Sequence, residues 1–133
     1  MEKHMKENFE LIKQYLNDMN IPIISEDTDE EIVIVDDENL SIKNLIIDCE
    51  EPIVILEQVI MRVPSKKDNL FERLLQINRK LVHGAFVLDE DSKIIIFRDT
   101  LQLENIDKNE LEGSIHALSL ALSEFGIELL EYA

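Results

Sequence analysis

The chain has 133 residues and a mass of 15.5 kDa, enough for a single domain, spanning residues 1–133, with one hydrophobic core. Hydrophobic residues make up 45% of it and charged residues 32%, a globular rather than a disordered composition. Asp and Glu number 29 against 13 Lys and Arg, so the formal net charge is -16. Because nucleic acids and anionic lipids bind through clustered cations, we expect neither nucleic acid nor a membrane as a partner. A protein with basic patches fits better, although the charge could serve only to keep the chain soluble.

Cys49 is the only cysteine, which excludes an internal disulfide and a disulfide-stapled secreted scaffold. The first ten residues, MEKHMKENFE, are polar where a signal peptide needs an apolar run. No segment approaches the ~20 apolar residues of a membrane span. We therefore expect a cytoplasmic protein.

The first element is predicted to be an amphipathic helix. Its apolar residues recur at spacings of four and three, as on one face of a helix: Met5, Phe9, Ile12, Leu16 and Met19. The helix should end near Asn20, because Pro22 disfavours helical geometry at the residue before it.

Three strands are predicted next, where β-branched residues dominate and acidic turns separate the clusters. The clusters are Ile32 to Val35, Ile42 to Cys49 and Ile53 to Val63.

A second helix is predicted from the stripe Leu70, Leu74, Ile77 and Leu81, widened by Phe71, Leu75 and Val82. Ser65 and Asp68 have the spacing of a capping box at its start, and Gly84 stands where a left-handed residue would end it. Asn78 lies among the apolar residues, so we expect it to be partly buried and hydrogen-bonded.

A hairpin and a last helix complete the chain. Ala85 to Leu88 and Lys93 to Arg98 flank a polar four-residue loop, the pattern of two antiparallel strands. Asp107 and Glu110 again have capping-box spacing. The apolar residues that follow keep a helical rhythm: Leu111, Ile115, Leu118, Leu122 and Phe125. Gly113 interrupts this helix, which we attribute to the close approach of another backbone.

The order of elements, α-β-β-β-α-β-β-α, predicts an α+β layer sandwich, an antiparallel five-stranded sheet packed with helices on one or both faces.

The sequence offers no assembly of catalytic, metal-binding or cofactor-binding residues. The acidic run from Glu26 to Glu38 lacks the glycine that an EF-hand loop needs at its sixth position, where Ile32 stands. The three histidines, His4, His83 and His116, lie far apart and have no metal-ligand spacing. Acidic neighbours should raise the pKa of the Cys49 thiol, and Ser114 and Ser119 lack a glycine elbow. We expect no enzymatic activity and no cofactor.

The local sequence nevertheless resembles a known family. The segment VPSKKDNLFERLLQINRKLVHGAFVLDEDSKIIIFRDTLQLENIDKNELEGSIHALSLAL is similar to YbjN-like proteins, which are grouped by fold with the CesT/Tir-type chaperones of type III secretion. The similarity is carried by LLQINRKLVHGAF, by IIIFRDTLQLENID and by the leucine-rich last helix. Such chaperones are small, acidic cytoplasmic homodimers that hold an extended segment of a partner protein without ATP.

The resemblance implies a homodimer in which the middle helix contributes the contact. The residues that we expect at the dimer or partner interface are Leu70, Phe71, Leu74, Leu75, Asn78, Leu81 and Val82. The sequence thus predicts a non-enzymatic, chaperone-like or regulatory domain that holds a segment of a protein partner on a strand edge or in an apolar groove. Two alternatives stay open: a small-ligand sensor or enzyme with a pocket between sheet and helices, and a structural subunit of a larger assembly.

Overall fold

The computed structural model describes the backbone of residues 2–133 and the side chains of residues 7–133. Within this part the helices and strands follow in the order α1 (Glu2–Asp18), β1 (Ile23–Asp27), β2 (Ile32–Asp37), β3 (Ile42–Glu50), β4 (Ile53–Arg62), α2 (Leu70–Lys80), β5 (Ala85–Leu88), β6 (Ile94–Gln102) and α3 (Lys108–Leu130). A 3-10 turn at Glu38–Leu40 joins β2 to β3.

The strands form one antiparallel sheet in the order β1-β2-β3-β4-β6-β5, which confirms the α+β fold. The described sheet has six strands, so the prediction of five was wrong by one. The missed strand is β1, whose sequence IISED pairs with β2 at the sheet edge and exposes most of its residues. An edge strand that buries so little surface needs no apolar run, and its sequence therefore resembles a loop.

The register of the sheet divides its side chains into two unlike faces. On one face Ile47 lies between Val33 and Leu56, and all three are buried. The three helices contribute their apolar stripes to the same core, through residues such as Phe9, Leu16, Leu70, Ile77, Leu111 and Ile115. The helices therefore form one layer on one face, and the molecule has two layers rather than three.

The first helix ends as predicted. Phe9, Ile12 and Leu16 are buried, whereas Met5 lies outside the described side chains. The chain leaves α1 through Asn20, which has a φ of 59°, and the Ile21 amide donates to the Leu16 carbonyl.

The second helix departs from the prediction at both ends. The Ser65–Asp68 capping box does not form, because the chain is not helical there and α2 begins only at Leu70, after Asn69, whose side chain makes no capping bond. The helix ends at Lys80, and Gly84 lies four residues further on with a φ of 73°. A methyl group at Gly84 would overlap the Phe97 ring, so this position requires glycine for both its conformation and its space.

The hairpin and the last helix form as predicted, with β5 and β6 antiparallel. The Asp107 side chain accepts from the Glu110 amide at 2.7 Å, and the Glu110 carboxylate accepts from the Asp107 amide at 3.3 Å, which completes the capping box. The explanation given for Gly113 was wrong. Beyond the adjoining backbone of α3 itself, no heavy atom lies within 4 Å of the position that a methyl group would take there, so no other backbone approaches it.

Candidate binding surfaces

The predicted interface residues on α2 fall into two groups. Leu70 and Leu74 are buried in the core of the chain itself, because the stripe they belong to faces the sheet. Leu70 cannot contact a partner directly, and Leu74, which is 4% exposed, reaches solvent only where it lines a shallow depression beside β5. Leu75 is 72% exposed and Val82 is 88% exposed, while Phe71 and Leu81 are half-buried.

A shallow apolar depression of about 260 Å³ lies beside these exposed residues, between α2 and the edge strand β5. Its lining consists of Phe71, Leu74, Leu75, Phe86, Val87 and Leu88. Together, Phe71, Leu75, Leu81, Val82 and this depression form what we call the α2 surface.

Asn78 has a structural role within the chain. Its Nδ2 donates to the Phe86 carbonyl at 3.0 Å, and its Oδ1 accepts from the Phe86 amide at 2.8 Å. This confirms that Asn78 is partly buried and paired. It also occupies the outward-facing backbone groups in the middle of β5, a strand of four residues, so a partner strand cannot add to that edge without displacing it.

Two side-chain contacts hold α2 against the end of α3. The Arg73 guanidinium binds the Glu128 carboxylate through two donors, with Nη2 to Oε1 at 2.9 Å. This bond raises the pKa of Arg73 and lowers the pKa of Glu128. The Tyr132 hydroxyl donates to Asn69 Oδ1 at 2.9 Å. The α2 surface is therefore presented by a fixed helix.

His83 and His116 lie closer together in the fold than their positions in the sequence suggest. His83 and His116 line one depression of about 240 Å³ between the end of α2 and α3, beside Glu124 and the 68% exposed Leu120. His4 lies outside the described side chains. Among the described residues, no group of three His, Cys, Asp or Glu side chains could hold a metal ion.

Cys49 and Ser114, the residues weighed as nucleophiles, are both buried and contribute to the packing of the core. Burial, and then the charge of Glu31, raise the pKa of the Cys49 thiol to about 12, in the direction predicted. The buried Ser114 hydroxyl donates to Asp99 Oδ2 at 2.7 Å and so ties α3 to β6. No sequence signal predicted that bond, because the two residues are fifteen positions apart on different elements.

The face of the sheet turned away from the helices is apolar and uncovered. None of its strand residues is buried, although isoleucine and valine recur across it among polar residues; Ile46 is 38% exposed and Val59 is 58% exposed. We call it the open face. Its apolar members include Ile32, Ile34, Ile46, Ile55, Val59 and Ile96. The sequence could not reveal it, because β2 to β4 are apolar at most positions on both sides.

Charged side chains stand within the open face. Glu57 and Arg98 pair across β4 and β6, with Nε to Oε1 at 3.5 Å. Asp48 lies between Ile32 on β2 and Ile55 on β4. Burial, and then the negative charge of Glu50, raise the pKa of the Asp48 carboxyl from 3.8 to about 6. Its Oδ1 is buried and has no hydrogen-bond partner among the described residues.

A further depression, of about 320 Å³, lies between β4 and α3. Its lining is apolar apart from Ser41 and includes Ile60, Met61, Leu122 and Ile127, but no ionisable side chain. It therefore supplies neither an acid–base group nor a charge for recognising a polar ligand.

Among the described residues, no helix combines the length and the apolar character that a membrane span requires.

Comparisons with known proteins agree with this architecture. The family model CesT_Tir_1 matches residues 5–133. YbjN from E. coli superposes with a TM-score of 0.70 at 14% identity, over 90% of this chain and 92% of that chain. A chain of the HopA1–SchA chaperone–effector complex gives 0.65 at 15% identity, over 89% and 91%.

A third structure, the Yersinia pestis type III secretion chaperone SycH in complex with a fragment of YscM2, gives a TM-score of 0.54 at 12% identity, over 95% of this chain and 99% of that chain. At such identities the likeness establishes the fold. No curated protein sequence matches the chain.

Proposed function

Because this chain belongs to the CesT_Tir_1 family, we propose that it is a non-enzymatic, chaperone-like or regulatory domain that holds a segment of a partner protein as a homodimer in the cytoplasm. The HopA1–SchA and SycH–YscM2 structures are complexes of a chaperone with a second protein. Protein binding is therefore the role that the family and fold support.

The observation that carries the homodimer is the α2 surface, where Leu75 is 72% exposed on a helix whose other side is anchored in the core and Val82 is 88% exposed two residues past the end of that helix. Exposed apolar side chains that are held rigidly lose little conformational entropy on association. They therefore favour contact with another polypeptide over contact with water.

Charge on α2 favours a second copy of the same helix, arranged antiparallel. Glu72 lies in its first turn, and Arg79 and Lys80 lie in its last turn. A two-fold axis near Gln76 would bring Glu72 of one copy toward Arg79 of the other. Two chains that each carry a net charge of -16 repel each other. An antiparallel contact through α2 lessens this repulsion, because α2 carries both acidic and basic side chains.

The enzyme or ligand-sensor alternative rests on one observation, a depression of about 300 Å³ between β6 and α3 whose lining includes His83, Asp99, Glu110 and Ser114. The depression between β4 and α3 lacks ionisable side chains, and the buried Ser114 hydroxyl donates to a carboxylate rather than to a histidine.

Site-specific photocrosslinking in living cells tests the proposal. A photoreactive amino acid replaces Leu75 to probe contact between copies, Val59 to probe contact with a partner, and the exposed Glu104 as the control. We expect a self-adduct at Leu75 and an adduct with another protein at Leu75 or Val59. If neither position gives more adduct than Glu104, the proposal is wrong.

A further inference from the structure

We propose that the open face binds an extended partner segment in which a lysine or arginine stands between apolar residues, with the cation placed against Asp48. This inference rests on the proposed function, because it states where the partner segment lies and what chemistry it carries.

The first argument is the area that the open face leaves to solvent. All three helices pack on the other side, and Ile46 and Val59 remain exposed on central strands of the sheet. Six strands at ~4.8 Å spacing make the sheet roughly 24 Å wide, which ~8 extended residues cross at ~3.3 Å each. A short segment therefore suffices to cover it.

The second argument is the position of the carboxylate. Asp48 is flanked by Ile32 and Ile55 on the neighbouring strands and by Ile46 two residues earlier on its own strand. A carboxylate oxygen that is buried there without a hydrogen bond destabilises the fold. Because the Asp48 side chain as a whole is only half-buried, a partner cation placed against the accessible part of its carboxyl group would offset that cost.

The third argument is the local balance of charge, which selects a cation over other polar groups. Glu30, Glu50 and Glu57 surround Asp48 closely enough to raise its pKa. Among the described residues of the open face, Arg98 is already paired with Glu57, and Arg62 stands at the far end beside Ile94. The cluster around Asp48 therefore has an uncompensated negative charge that a basic segment matches.

The fourth argument concerns the other routes by which an extended segment could bind. Asn78 occupies the outer edge of β5, and the edge strand β1 is short, acidic and irregular between Ile23 and Ser25. Strand addition is thus obstructed at one edge and poorly supported at the other. The open face offers a route that neither edge provides, because all three helices pack on the other side of the sheet.

The experiment uses three fluorescent peptides of ~10 residues, each an alternating Thr-Val sequence with Arg, Gln or Glu at its centre. Binding is measured by fluorescence anisotropy at pH 7.5, and the site is located by methyl NMR shifts of the isoleucine and valine residues. We expect the Arg peptide to bind ~10-fold more tightly than the Gln peptide, with shifts at Ile46, Ile55 and Val59. The Glu peptide should bind most weakly.

The decisive variant is Asp48→Asn, which keeps the shape of the side chain and removes its charge. It should abolish the preference for Arg over Gln and leave the Gln affinity unchanged. Asp91→Asn, in the exposed loop between β5 and β6, makes the same change in net charge away from the open face and should keep the preference.

Three results would overturn the inference: an equal effect of both variants, methyl shifts confined to the α2 surface, or no binding of any peptide. A fourth would be conversion of a dimer to a monomer by Val59→Glu, since the open face would then be the contact between copies. The proposed function would survive the first three results if photocrosslinking still captured a partner, and it would fail if no position captured one.

Discussion

Replacement of Asn78 by leucine tests whether this side chain fixes the edge strand β5. The amide of Asn78 makes two hydrogen bonds to the backbone of Phe86, which is itself buried. Leucine has a similar volume to asparagine and a better helix propensity. Neither packing nor helix propensity should therefore account for a loss of stability. The substitution leaves one N–H and one carbonyl without their partners.

The expected magnitude follows from those two groups. A buried donor or acceptor that loses its partner costs ~1–3 kcal/mol, and water can reach an edge strand in part, so we expect a total loss of ~2–4 kcal/mol. Against the ~5–15 kcal/mol by which domains are usually stable, that is a large fraction.

Urea denaturation at matched protein concentration measures the loss, and hydrogen exchange of the Phe86 amide locates it. The control is Asn17→Leu, the same exchange at an exposed position of α1, which should change the free energy of unfolding by less than ~0.5 kcal/mol. If Asn78→Leu matches this control, or if the Phe86 amide keeps its protection, the role assigned to Asn78 is wrong.

Three further substitutions test the open face and the glycines. Because the pKa of Asp48 is raised from 3.8 to about 6, its charge costs the fold almost nothing below pH 4, a growing amount between pH 4 and pH 6, and a nearly constant amount above that. Asp48→Asn should therefore raise the free energy of unfolding by ~1–2 kcal/mol at pH 8, after allowance for solvent screening, and by little at pH 4; equal effects at both pH values in urea denaturation would contradict this. Gly84→Ala should lower the free energy of unfolding by ~1–3 kcal/mol, because φ is positive and the methyl group meets Phe97. Gly113→Ala, in open space within a helix, should raise it by ~0.5–1 kcal/mol; thermal unfolding that ranked the two alanine variants the other way would refute the distinction.

The helices and the buried strands could be predicted because their signal is local. Apolar residues at spacings of three and four located α1 and α3, and the Asp107–Glu110 spacing identified the start of α3. The edge strand β1 escaped because it buries almost nothing, so no apolar pattern is selected there. The capping box at Ser65 failed because spacing alone cannot say whether the backbone between two residues is helical.

The candidate surfaces could be predicted only in part. The breadth of the α2 stripe indicated that some of it would stay exposed, but only the packing shows that Leu70 and Leu74 face inward while Leu75 and Val82 face outward. The open face was invisible in sequence, because the strands that form it carry isoleucine and valine on both sides. Its charge depends on a register that places Asp48 between two isoleucines from other strands.

The most direct test of the α2 surface as a contact between copies is sedimentation equilibrium of the purified protein at ~50 µM. We predict a mass of twice the 15.5 kDa chain. The double variant Leu75→Glu, Val82→Glu should sediment as a single chain with an unchanged circular dichroism spectrum, whereas the control Ile24→Glu, on the exposed edge strand β1 at the opposite side of the sheet, should remain dimeric. A wild-type mass of 15.5 kDa, or a dimer that survives the double variant, would contradict the account.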